Sequence, residues 1–248
     1  MTGTEFAVAT EAAVVWVGAK FMTSEELAEE EKRLGLPGRA LYFRGRSAVV
    51  GDLSGVVLKE VFGIFPAWLA DWAAEAGAAV TSAEAVAAYT RVIETWGAGH
   101  LAGADGPGRT AELAFRVTDR TDASALPLFA GWRAAVRPES PEGALAFAVM
   151  LLRELRGGLH FAALRAYGVG VPDAVTVDPT GGRGRLLRTG WPEADADALL
   201  ERAAGIPDLA ERWQEAHRRT DESFGRAAAE ALDAGELAEL RERLTALA

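Results

Sequence analysis

Apolar positions along the chain recur mostly at intervals of three and four, the spacing of one face of an α-helix, and seldom alternate. Val86, Tyr89, Ile93 and Trp96 form one such core stripe behind the capping box Thr81-Ser82-Ala83-Glu84. Another follows Pro207 as Leu209, Trp213, Ala216, Thr220, Phe224, Ala227 and Ala231, and a third has heptad-like spacing at Leu237, Leu240, Leu244 and Leu247. Ser140-Pro141-Glu142 combines an N-cap, a first-turn proline and a first-turn acid, so a greasy helix should start there and run to about Arg156. Gly157-Gly158 then reads as a break, with a second helix carrying His160 and ending at Gly168 as its C-cap glycine. Thr23 to Glu26 reads as another capping box, opening an acidic helix that stops at Gly35. Further helices are predicted over 54–62, 109–120 and 193–204 and after Pro66 and Pro127. Three stretches stay open. Residues 5–21 suit a strand or a buried helix, 40–51 a loop or short helix, and 173–191 a hairpin or a helix end with a loop. Gly97, Gly99, Gly103, Gly106 and Gly108 predict a mobile loop over 97–109. The expected fold class is all-α, a multi-helix globule.

Composition narrows the function. Half the residues are apolar and a quarter charged, so a packed core is expected. Cysteine is absent, which removes disulfides, thiolate nucleophiles, Cys-type zinc sites and iron–sulfur clusters together. No signal-peptide pattern is read at the start and no apolar run of about 18 residues, so no membrane partner and a cytoplasmic location are the expectations. Acidic residues outnumber basic ones 36 to 26, a net charge of −10, and duplex DNA is bound by neutralising its phosphates with cations. DNA binding would therefore need a segregated basic patch.

The chemistry gathers where the greasy helix ends. Glu154, Arg156 and His160 meet the double glycine there, and His160, Ala163, Leu164 and Tyr167 share the next face. A structural ion pair with a capping histidine accounts for these residues. So does a ligand pocket, because charged groups on an apolar helix are expensive unless paired or used. Tyr42, Arg44 and Arg46 form a second group, with Arg46 either clamping an anion or pairing with Glu154 or Asp221. Arg183, Arg185 and Arg188 in GGRGRLLR make one locally basic loop, without the Lys-Ser/Thr of a P-loop. His100, His160 and His217 are too scattered for a metal, and no cofactor is expected.

The segments LYFRGRSAVVG, VFGIFPAW, LLRELRGGLHFAALRAYGV, TGW and RRTD resemble an actinobacterial family of SalK-like helix-turn-helix proteins, from about residue 25 to the end. The resemblance implies a helical domain over 1–164 and a winged-helix-like part over 165–248 packed on it. Here ALLERAAGIPDLAERW follows the Gly-Trp, so the wing looks shortened or lost and the winged-helix part degenerate. Val49-Val50-Gly51 also stands where a Pro-Leu-Gly is usual. The combined expectation is a small-molecule-binding protein of bacterial specialised metabolism. In an enzyme version His160 is the acid/base and Glu154 its orienting carboxylate. Tyr42, Arg46, Arg156, Tyr167, Asp221 and Trp191 then bind an anionic or carbonyl-bearing substrate, and these groups should converge at the glycine hinge. The alternatives are a helix-turn-helix transcriptional regulator and a non-catalytic homodimeric partner with the Leu237–Leu247 stripe as its seam.

Overall fold

The apolar stripes named above lie on helices, save Leu247 just beyond the last one, and no strand forms anywhere in the computed structural model, which describes all 248 residues. The protein is all-α. The helices are α1 (Gly3–Ala12), α2 (Gly18–Lys20), α3 (Glu25–Arg33), α4 (Ala40–Ser47), α5 (Gly55–Phe62), α6 (Ala67–Gly77), α7 (Ser82–His100) and α8 (Pro107–Arg120). They continue as α9 (Pro127–Ala134), α10 (Pro141–Ala166), α11 (Val171–Val177), α12 (Gly182–Arg188), α13 (Glu193–Ala204), α14 (Leu209–Ala231) and α15 (Ala234–Thr245). The chain divides into two compact units. The first comprises Met1–Asp52, Ala76–Gly158 and Asp221–Ala248, and the second Leu53–Glu75 and Leu159–Thr220.

Local signals hold where a cap or a stop was legible. Thr81 and Glu84 exchange both bonds of a capping box, and Ser140 Oγ accepts from the Gly143 amide to start α10. Gly35 and Gly168 each end their helix in the left-handed region. In both cases a 6→1 backbone bond closes the turn, Leu36 to Glu31 and Val169 to Leu164, which is the Schellman arrangement. The acidic helix starts one residue later than expected, because Ser24 rather than Thr23 is the N-cap, accepting from Leu27.

Several expectations change. Residues 5–21 are helical, with a π turn at Ala13–Val17 between α1 and α2. The helical stretch Gly3–Arg33, interrupted by the extended Ser24, is long and apolar enough by length and composition to cross a membrane, with half of its apolar window buried inside the protein. Glu11 breaks that stretch, so no uninterrupted apolar run of about 18 residues exists, and its carboxylate pairs with Arg156 in the first unit. The predicted mobile loop shrinks, since α7 continues through Gly97 and Gly99 to His100 and α8 starts at Pro107. A Cβ at Gly97 would lie 2.6 Å from the Glu142 carbonyl oxygen, so this glycine permits a close helix approach. The expected break at Gly157-Gly158 is absent, and α10 is continuous for 26 residues. Residues 173–191 form neither a hairpin nor a long loop, but α11 and α12.

In the first unit Leu145, Phe147, Met150 and Leu152 of α10 are fully buried. Around them rings meet in series, Phe21 edge-on to Tyr89, Tyr89 tilted against Trp132 and Trp132 edge-on to Phe147, at centroid distances of 5.2, 5.4 and 5.9 Å. Leu237, Leu240 and Leu244 are buried too, on a helix that packs against α1 and α8. This corrects the dimer-seam reading of that stripe, because its side chains already sit in the chain's own core. In the second unit Ala163, Leu164, Val169, Ala174, Leu209 and Ala216 make one apolar cluster, with Tyr167 packed against it. Val175, Leu186, Ala196 and Leu199 make another, with Trp191 packed against that one.

Candidate functional site

The first unit gathers charge on α10. Arg46 grips Glu154 with two parallel bonds, Nε to Oε1 at 2.8 Å and Nη2 to Oε2 at 2.9 Å. Of the partners proposed for Arg46 the structure selects Glu154. Arg153 Nη1 reaches the same Oε1 at 3.2 Å, and Arg46 Nη1 donates to the Tyr42 hydroxyl at 3.3 Å. The Glu154 side chain is 2% exposed and that of Arg46 13%. Burial opposes the Glu154 charge, but Arg46 and Arg153 outweigh it and hold the carboxyl below its ordinary range. Burial likewise opposes the Arg46 charge, and the Glu154 carboxylate overrides it, raising that guanidinium above its usual value.

Three devices aim Arg46. Buried Glu31 of α3 accepts from the backbone amides of Arg39 and Leu41, both at 2.9 Å, and so caps α4, which has no side-chain cap of its own. Trp132 Nε1 donates to the Arg46 carbonyl at 2.9 Å. Gly45 lets α4 approach the Tyr89 ring, where an added Cβ would lie 2.5 Å from Cδ2. Arg44 is clamped elsewhere, by Asp52 at 2.7 Å and the Val80 carbonyl at 2.9 Å. Two residues beyond Glu154 on α10, Arg156 donates to Asp221 at 2.8 Å and to Glu11 at 2.6 Å, with both Arg156 and Asp221 buried.

His160 belongs to the second unit. Its Nδ1 stands 3.1 Å from Thr220 Oγ1, and that hydroxyl donates its one proton to the Ala216 carbonyl at 2.8 Å. Thr220 therefore accepts from His160, so the neutral imidazole carries its proton on Nδ1 and Nε2 is the basic nitrogen. The His217 ring lies edge-on at 6.2 Å, itself stacked on Trp213 at 5.2 Å. The partner at His160 Nδ1 is Thr220 and not the expected Glu154, whose two oxygens are taken by arginine. Tyr167 sits beside the C-terminal glycine of α10, its carbonyl 3.5 Å from Arg212 Nη1. Trp191 donates through Nε1 to the Ile64 carbonyl at 2.8 Å, which occupies the polar edge expected to meet a ligand. Tyr89, Glu11 and Thr220 were not picked out as site residues. Tyr89 and Thr220 were hidden inside core stripes, and no local signal marks Glu11.

Also in the second unit, α11, α12 and α13 each pack on the other two. α12 and α13 are joined by the four-residue turn 189–192, with Gly190 at φ +92. Trp68 Nε1 donates to the Gly190 carbonyl at 3.2 Å, fixing the turn. A four-residue turn between two short helices is the kind of connection a helix-turn-helix uses, and residues 7–248 match the sequence pattern of a helix-turn-helix family. The chain belongs to a helix-turn-helix family. No curated protein and no solved structure matches it. In helix-turn-helix proteins the second helix enters the major groove, the place that α13 holds in the α12–α13 order. Its exposed residues include Glu193, Asp195, Asp197 and Glu201, against the one cation Arg202, which pairs with Asp173. The arginines of GGRGRLLR lie on α12 rather than in a loop. Arg183 is held by Asp197 at 2.6 Å and Glu193 at 3.2 Å, and Arg185 stands 3.7 Å from Asp178.

Proposed function

We propose that this member of the helix-turn-helix family binds a small organic molecule instead of reading DNA. The observation that carries this is the charge of α13, the helix that would face the groove. It bears four carboxylates on its exposed face, and the neighbouring Arg183 is engaged with two of them. Carboxylates set against a phosphate backbone repel it, and pairing removes the cation that would have released counterions. The likeness of LLRELRGGLHFAALRAYGV and its companion segments to the SalK-like actinobacterial proteins supports a place in bacterial specialised metabolism. In an enzyme form His160 takes a proton through Nε2, and Thr220 holds the tautomer that leaves that nitrogen basic.

The experiment is a gel shift with the promoter DNA of the protein's own gene cluster at about 50 mM salt, where phosphate contacts are strong. No shift is expected. A sequence-specific, salt-sensitive shift abolished by altering α13 would sink the reading. It would establish instead the second one, a transcriptional regulator, which the family membership and the intact α12–turn–α13 favour.

A further inference from the structure

The charge cluster of the first unit is complete as a fold element yet incomplete as a hydrogen-bond network. Two arginines and one carboxylate meet there, so one positive charge is left over. Two buried donors in the cluster have no acceptor, Arg153 Nε and the hydroxyl of fully buried Tyr89. Buried donors without acceptors are rare, because each costs its full desolvation. Tyr89 sits in the field of Arg46, Tyr42, Glu154 and Arg153, and burial raises its pKa well above the ordinary phenol value. The hydroxyl therefore keeps its proton and remains a donor.

A second observation marks the same spot. The π turn Ala13–Val17 ends at Gly18, and a Cβ there would lie 3.2 Å from Arg153 Cβ and 3.0 Å from the Val149 carbonyl. π turns interrupt regular helices and often accompany functional sites. Here the turn brings bare backbone against the stem of Arg153, the arginine whose donor is unmet. The side chain of Arg153 is 24% exposed, so the cluster opens toward solvent on that side.

We propose that Tyr89 and Arg153, with Arg46 and Tyr42 beside them, form a seat for the carboxylate of an organic monoanion. One negative charge cancels the surplus, and the two oxygens of a carboxylate correspond to the two unmet donors. Arg46 and Glu154 form the fixed wall of the seat, since their fork is already closed, and Arg153 is the arm that meets the ligand. The aromatic surroundings, with Tyr42 edge-on to Phe43 at 4.9 Å and Tyr89 on Trp132 at 5.4 Å, suit an apolar or aromatic body behind the carboxylate. This inference rests on reading the chain as a small-molecule binder and names the class of molecule.

The test uses the full chain and thermal denaturation at pH 7 with three probes: benzoate, its uncharged counterpart benzamide, and sulfate. Benzoate should raise Tm saturably while benzamide and sulfate do not, and Tyr89→Phe should weaken the apparent benzoate affinity at least tenfold. Without ligand, Tyr89→Phe should melt at or above the wild-type temperature, since it removes a hydroxyl that has no partner. Arg153→Lys keeps the charge but lacks Nε, and should weaken benzoate similarly. The proposal is overturned by the absence of a benzoate response, by equal stabilisation with sulfate or benzamide, or by unchanged benzoate affinity in both variants. A ligand-free Tyr89→Phe that melts below wild type would overturn it as well, because the hydroxyl would then have a structural partner. A promoter shift with the benzoate response intact would sink the broader reading of the chain and leave this seat standing.

Discussion

The two units use the same pair of chemical groups to opposite ends. On α10 of the first unit, Arg46 and Arg156 meet Glu154 and Asp221 out of water. On α12 and α13 of the second, Arg183 meets Asp197 and Glu193 in full contact with it. Water screens the exposed set, so those bonds contribute little to stability, and their effect is to remove a cation from the face that would meet DNA. The buried set is unscreened, and every unmatched charge or donor there is costly. That asymmetry makes the surplus charge and unmet donors beside Tyr89 informative, whereas a similar count among the surface pairs would mean nothing.

Breaking the buried set should have the largest effect. Glu154→Ala leaves Arg46 and Arg153 without their counterion and should cost about 3–5 kcal/mol of unfolding free energy in urea. A loss below about 1 kcal/mol would place the cluster with the surface pairs. The same group sets a pH dependence. Its carboxyl titrates below the ordinary value, burial being outweighed by Arg46 and Arg153, so its contribution is present above the unfolded glutamate pKa of about 4.3 and is lost as pH falls through the lower folded value. The stability gap between wild type and Glu154→Gln should be widest near neutral pH and close in that acid window; a gap independent of pH would refute the assignment. The half-buried bond between His160 and Thr220 should rank next. Thr220→Val removes the acceptor from His160 Nδ1 and should cost about 1–3 kcal/mol. Nitrogen NMR of the imidazole should show the Nδ1–H tautomer in wild type and a mixture in the variant. The smallest effect belongs to the surface. Asp197→Asn should leave the urea midpoint where it is, and a clear drop would mean that the α12–α13 pairs hold the fold together.

What could be read beforehand was whatever is encoded within one turn of helix. The caps at Thr81 and Ser140 and the stops at Gly35 and Gly168 were legible, because the donor and acceptor lie three to five residues apart. Glycine elsewhere misled, since it serves two physical ends that look alike in a sequence. In a turn it supplies a positive φ, but at Gly97 and Gly45 it lets another element come within contact of the backbone. That is why the loop over 97–109 turned out to be mostly helix. At the site, Glu154 and Arg156 stood out because charge amid apolar sequence is conspicuous, whereas Asp221 was pointed to by the family resemblance. Which carboxylate each arginine would take was left open, since the partners lie 108 and 65 residues apart. Tyr89 was invisible for a different reason. A tyrosine in a core stripe is ordinary, and only the surroundings of its hydroxyl distinguish it.

Gly3 and Gly225 meet backbone to backbone, so close that a Cβ on either would lie about 2 Å from the other's carbonyl oxygen. α1 thus docks on a part of α14 made more than 200 residues later, and on α15 beyond it. At synthesis rates of about 5–20 residues per second the helix waits roughly 10–45 s for that surface. During the wait it carries a stretch apolar enough to resemble a membrane span. The interval between the two glycines therefore sets how long the apolar face of α1 stays uncovered in newly made chain, and a slower codon late in the message would lengthen that exposure without changing a single residue.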